Sequence, residues 1–258
     1  MAAERSVKSP IWLVLLFHSF VTGVYVFMRV EEYQRLSALA AQNKIFPGYD
    51  RMGERYKYLT QINMYIQLGF FAMATIGDVA QLLRAPRALV CGLQKIVDVV
   101  FATLAFPLSE FIVCIFWPIY IYDRELIFPT KLDEHLPFYV NYLDHLFIGV
   151  WVMIEMLLVR HKYPSVKVGM AVTAAFGATY TSIVFYIAHY GGFWVYPFMT
   201  VMSPVVRGVF FVAMFSLVFA IFYAGRKLNA LVWGSTSSPD SASTKQKQKQ
   251  SLRRKKVH

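Results

Sequence analysis

The stretch Phe138-Tyr139-Val140-Asn141-Tyr142-Leu143-Asp144-His145 opens a run that stays apolar from 146 to 158 except at Glu155. Such a run reads as a membrane-spanning helix, because about 20 apolar residues cross the hydrocarbon core. An ionisable side chain inside it costs roughly 2.5–3.5 kcal/mol at the bilayer centre, so it turns toward a partner or a wet cavity. Asn141 and His145 are one helical turn apart on one face. What reaches His145 therefore decides what the chain can do.

Composition agrees with a membrane bundle. Apolar residues make up 57% of the chain and charged residues 16%, and the mean hydropathy is +0.46, far from soluble usage. The net charge of +11 sits in connections and the tail rather than on one patterned domain, which argues against a nucleic-acid partner. Cys91 and Cys114 fall in or beside apolar runs, so neither a disulfide framework nor a metal site is indicated, and no cofactor is implied. The expectation is an all-α, polytopic membrane protein with six transmembrane helices. One domain covers 1–233, and a disordered basic cytoplasmic tail covers 234–258.

The six expected spans are 11–28, 59–79, 96–121, 138–159, 168–189 and 205–225. The first follows Arg5 and Lys8 like a signal peptide, but its apolar core is too long for one, so it reads as an uncleaved anchor. His18 within it is expected to be a packed structural residue. Pro107 and Pro118 should kink the third span. Its Glu110 is expected to be a paired structural carboxylate or else part of a site, and Trp117, Tyr120 and Tyr122 an interfacial aromatic belt. His161, after the fourth span, reads as a solvated interface residue.

Basic residues are denser on the side holding the N-terminus, the second and fourth connections and the tail, so both termini are expected in the cytoplasm. The final Lys255-Lys256-Val257-His258 fits a dilysine retrieval signal read by retrieval machinery, which points to the endoplasmic reticulum membrane. The alternatives are a polybasic segment touching anionic membrane lipids and residence in the plasma membrane.

Three polar stripes then fall at one depth. Thr60, Asn63 and Gln67 lie on one face of the second span, Asn141 and His145 on the fourth, and Ser182, Tyr186 and His189 on the fifth. Independent structural hydrogen bonds have no reason to share a level, so the stripes suggest a common polar cavity. A hydroxyl there becomes a nucleophile when a neutral imidazole takes its proton, a role open to Thr60 and His145. Asn141, His189 or Asp144 could orient the ring. Spacing alone does not choose Thr60 over Ser182, nor an enzyme over a structural cavity.

The runs Leu104-Ala105-Phe106-Pro107, Ile115-Phe116-Trp117, Tyr120-Ile121-Tyr122-Asp123-Arg124-Glu125 with Pro129, Asn141 to His145, Tyr163-Pro164-Ser165 and Trp194-Val195-Tyr196-Pro197-Phe198 occur in one order. Together they resemble the androgen-induced gene / androgen-dependent TFPI-regulating protein family over roughly 58–233. That resemblance implies a multi-span membrane threonine hydrolase cleaving fatty acid esters of hydroxy fatty acids, without cofactor or metal. Its nucleophile would be Thr60, in Tyr58-Leu59-Thr60, and its essential histidine His145. The sequence departs from the family pattern at Tyr142, where histidine is expected, and at Asp144, where an apolar residue is expected. The resulting expectation is a membrane-embedded esterase acting on a long-chain lipid ester. A non-catalytic membrane regulator, or a lipid carrier with a structural polar cavity, is the alternative.

Overall fold

Proline and serine set most of the helix starts. Pro10, Pro86 and Pro137 hold extended backbone immediately before α1 (Ile11–Ala41), α3 (Arg87–Val100) and α5 (Phe138–Tyr142). Ser165 and Ser203 cap α7 (Val166–Tyr190) and α8 (Pro204–Trp233) by accepting the N–H of Val168 and Val206. Helix α2 (Leu59–Leu82) has no local side-chain cap. Its first N–H, from Leu59, is taken instead by the hydroxyls of Tyr180 and Tyr196 at 3.1 and 3.0 Å. The computed structural model describes residues 9–234, so Arg5, Lys8, the tail and its dilysine lie outside the described residues.

Among the described residues every regular element is helical. Two rods are composite. Helix α3 runs through a π-helical turn, Phe101–Ala105, into α4 (Phe106–Tyr122), and α5 runs through a second, Leu143–Phe147, into α6 (Ile148–Leu158). Pro107 lies in the first turn of α4, directly after the first of these π-turns. Proline cannot donate to the carbonyl four residues back, that of Thr103. The Thr173 hydroxyl of α7 reaches that carbonyl at 2.9 Å.

Among the described residues five helices are long and apolar enough to cross a membrane: Ile11–Ala41, Arg87–Tyr122, Phe138–Leu158, Val166–Tyr190 and Pro204–Trp233. Helix α2, at 24 residues, is about 36 Å long by the usual rise but carries more polar side chains. It packs along α1 and against α3. The core beneath these helices includes Phe70, Phe71, Phe101, Ile148 and Val152, all fully buried. Close helix approach needs small residues: a Cβ on Gly169 of α7 would sit 2.2 Å from the Phe222 ring, and one on Gly225 of α8 2.5 Å from Phe106.

Candidate active site

A cavity of about 1130 Å³ opens between the start of α2, the π-turn after α5, α4, α7, α8 and the 193–200 segment. It is at or above the upper end of the roughly 300–1,000 Å³ usual for small-molecule sites. Its lining combines apolar side chains, among them Phe111, Ile112, Phe176, Phe211 and Phe215, with the charged residues Arg29, Glu32, Asp50, Arg51, Lys57 and Asp144. Thr60 and His145, from different helices, both line it.

Thr60 stands on the first turn of α2 and is half-buried. The helical ladder begins only at Ile62, whose N–H reaches the Tyr58 carbonyl at 3.2 Å. The N–H groups of Thr60 and Gln61 therefore lie ahead of it, at the positive end of the helix dipole. The turn is held in place by the two tyrosines: Tyr180 donates to the Lys57 carbonyl at 3.0 Å, and the two hydroxyls are 2.7 Å apart. Burial pushes the Tyr58 hydroxyl up to about 12, so it is a neutral hydroxyl at physiological pH.

His145 lies in the second π-turn, a feature that recurs at functional sites. Its ring stacks on Phe116 with centroids 3.6 Å apart and planes at 12°. Nδ1 lies 3.1 Å from the Asn141 carbonyl. A carbonyl only accepts, so Nδ1 carries the proton and Nε2 keeps a lone pair. Asn141 thus orients the ring, through its backbone rather than its side chain. Trp117 donates its indole N–H to the His145 carbonyl at 2.9 Å, so this member of the expected interfacial belt instead braces the turn.

Other expected cavity residues are placed elsewhere. Asn63 and Gln67 are fully buried and do not line the cavity. Gln67 donates to the Ala105 carbonyl and the Ser109 hydroxyl at 2.9 and 2.8 Å, and Asn63 reaches Ser109 at 3.4 Å. They tie α2 to the first π-turn and α4. Ser182, Tyr186 and His189 are exposed and absent from the lining. Ser182 bonds back to the Ala178 carbonyl at 2.8 Å, a local satisfaction that needs no cavity. Helix α7 presents Phe176, Tyr180, Thr181 and Val184 instead. Asp144, the sequence's own departure, joins the polar lining within the field of Arg29, Glu32 and Arg35.

A second histidine site, missed in the sequence, joins α1, α2, α3 and α6. His18 Nδ1 meets Asp78 at 2.6 Å and its Nε2 meets Glu155 at 2.7 Å. His161 Nε2 meets the other Glu155 oxygen at 3.0 Å, and its Nδ1 meets Asp98 at 3.1 Å. His161 is buried, not a solvated interface residue, and stacks on Phe101 at 3.8 Å. Burial opposes its charged form, but hydrogen bonds to Asp98 and Glu155 outweigh that and raise its pKa above the ordinary histidine value. His18 is structural, as expected. Among the described residues no group of histidines, cysteines and acids is arranged to hold a metal ion. Glu110 lacks the expected partner; one of its buried oxygens has no hydrogen bond.

Residues 11–230 match the family described as FAR-17a/AIG1-like protein. Androgen-dependent TFPI-regulating protein of Mesocricetus auratus is 36% identical over 187 residues, 72% of this chain and 80% of the relative. The Homo sapiens protein of that name is 31% identical over 84% of this chain and 96% of its own. Androgen-induced gene 1 protein of Homo sapiens is 33% identical over 78% of this chain and 87% of its own. No solved structure matches.

Proposed function

The chain belongs to the FAR-17a/AIG1-like family, and from that premise we propose that it is a membrane-embedded hydrolase of lipid esters. The substrate class is fatty acid esters of hydroxy fatty acids. Six helices span the bilayer, α2 being the least apolar, with both termini cytoplasmic and residence in the endoplasmic reticulum membrane. The observation that carries the reading is that Thr60 and His145 line one large, partly apolar cavity from separate helices.

The chemistry follows from the ring's tautomer. Nε2 of His145 takes the Thr60 proton as the hydroxyl oxygen attacks the ester carbonyl. The N–H groups of Thr60 and Gln61 face the resulting oxyanion at the helix start. The ester C–O bond breaks, His145 returns the proton to the departing alkoxide, and an acyl-threonine remains. Water, deprotonated by the same nitrogen, releases the acid. The apolar side chains of the lining hold the acyl chain, so it need not leave a hydrocarbon surrounding.

Ester hydrolysis by membranes carrying wild type, Thr60→Ala and His145→Ala tests the proposal. Wild type should turn over the ester, and each variant should lose at least about 10³-fold in rate. Undiminished turnover in Thr60→Ala overturns the nucleophile. No turnover by folded wild type favours a non-catalytic regulator or a lipid carrier.

A further inference from the structure

Lys57 is a buried cation in search of an anion. The residue is only 1% exposed, and it lines the cavity three residues before Thr60. The ammonium donates to the Gly48 carbonyl at 2.5 Å and lies 5.1 and 5.6 Å from the ring centroids of Tyr58 and Phe193. Gly48 presents that carbonyl from a left-handed turn at φ 85°, with the Tyr58 hydroxyl where a Cβ would stand. Among the described residues no carboxylate lies within salt-bridge distance of Lys57. An ammonium has three donors, and only one is matched here. Burying such a charge without a counter-ion is costly.

From this geometry we propose that Lys57 is the specificity-determining residue that holds the free carboxylate of an acyl-lipid ester. The inference rests on the hydrolase reading above and adds to it the group that selects the substrate's acid end. Burial lowers the lysine pKa, with Asp50 acting against that shift and Arg51 with it. The cost of an uncompensated charge is therefore present in the ligand-free protein, and an incoming anion relieves it. Arg51 lies over the same Phe193 ring at 5.2 Å and adds positive potential. The negative charges of Asp50 and Glu54 also act on Lys57, which favours a monoanion over a phosphate dianion. Held beside the first turn of α2, the carboxylate leaves the ester to pass Thr60 and His145 and the chain to lie against the apolar side chains of the lining.

The test compares a fatty acyl ester of a hydroxy fatty acid with its methyl ester, in which the carboxylate is masked. Wild type, Lys57→Met and Lys57→Arg are assayed in membranes. Wild type should prefer the free acid by about 10- to 100-fold in kcat/KM, the range of a charged hydrogen bond. Lys57→Met should bring the ratio near one, chiefly through KM, and Lys57→Arg should restore part of it. An unchanged ratio in Lys57→Met, or no preference in wild type, overturns the proposal. Thermal stabilisation of purified protein by palmitate, against methyl palmitate and a phosphatidic acid, reads the anion site without turnover. Palmitate-selective stabilisation lost in Lys57→Met upholds the anion site even if neither ester is cleaved, which isolates failure of the hydrolase reading. Equal stabilisation by the methyl ester, or selection of the phosphate, contradicts it.

Discussion

The two histidine sites share a construction and differ in what they leave open. In each, an imidazole stacks face-on against a phenylalanine, and a π-helical turn supplies one of the two rings. His145 in its π-turn lies on Phe116, and His161 on Phe101 in the other π-turn. At the cavity, one nitrogen of His145 is bound to a backbone carbonyl and the ring borders open space. At the cluster, all four nitrogens of His18 and His161 are met by carboxylate oxygens. Carboxylates and bare ring nitrogens are both acceptors, so the four contacts need four protons, twice what two neutral imidazoles bring. The two rings and three carboxylates must therefore share four protons across these contacts. A base needs a vacant lone pair, and the cluster has none. One site borders a cavity; the other is a clamp.

The strongest way to break this contrast is Glu155→Ala. Glu155 serves both histidines, so its loss should destabilise the protein by about 3–5 kcal/mol, the usual effect of removing one partner from a buried ion pair. Thermal unfolding in detergent measures it. A loss below about 1 kcal/mol would mean the cluster is not a clamp. Trp117→Phe probes the other site: the His145 carbonyl loses its donor, at about 1–3 kcal/mol. Hydrolysis should fall with it, because the π-turn aims the ring; unfolding and kcat measured together check both effects.

The pH dependence sharpens the comparison. The pKa of His161 is raised in the folded state, so its stabilisation is complete below the unfolded value near about 6.5. It is lost as pH rises through the higher folded value. The slope from this group is at most about 1.4 kcal/mol per pH unit. Unfolding temperatures of wild type should fall on the alkaline side, and His161→Gln should flatten that fall. A wild-type fall confined to acid pH would contradict the charged ring. The smallest effect belongs to the exposed stripe: Ser182→Ala and His189→Ala should each change stability by less than about 0.5 kcal/mol. A larger loss in either would place those side chains back among the structural polar groups.

The contrast also marks what the sequence disclosed. The all-helical class was legible, because long apolar runs bounded by proline, serine and charge permit little else, but α1 continues to Ala41 past the expected end at 28 and α3 starts at Arg87 before the expected 96. That Thr60 and His145 border one cavity was legible only in part: their matching depth on different spans suggested it, but spacing did not choose Thr60 over Ser182. Their companions were not. Asn63 and Gln67 read as cavity residues, but α3 enters α4 through a π-turn whose Ala105 carbonyl, with nearby Ser109, absorbs both amides. No periodicity announces that turn. Ser182, Tyr186 and His189 share a helical face as expected, yet helical periodicity cannot say whether that face turns in or out. The clamp was hidden for another reason: His18, Asp78, Asp98, Glu155 and His161 are scattered along the chain, and only the packing of four helices joins them.

The attachment site of a fluorophosphonate probe in wild-type membranes tests the proposed threonine nucleophile most directly. Oγ of Thr60 should attack phosphorus and expel fluoride while His145 takes the proton. Mass spectrometry should therefore find the adduct on the peptide containing Thr60, and none on that peptide in His145→Ala. An adduct on another residue, or labelling that persists in Thr60→Ala, would contradict the threonine nucleophile.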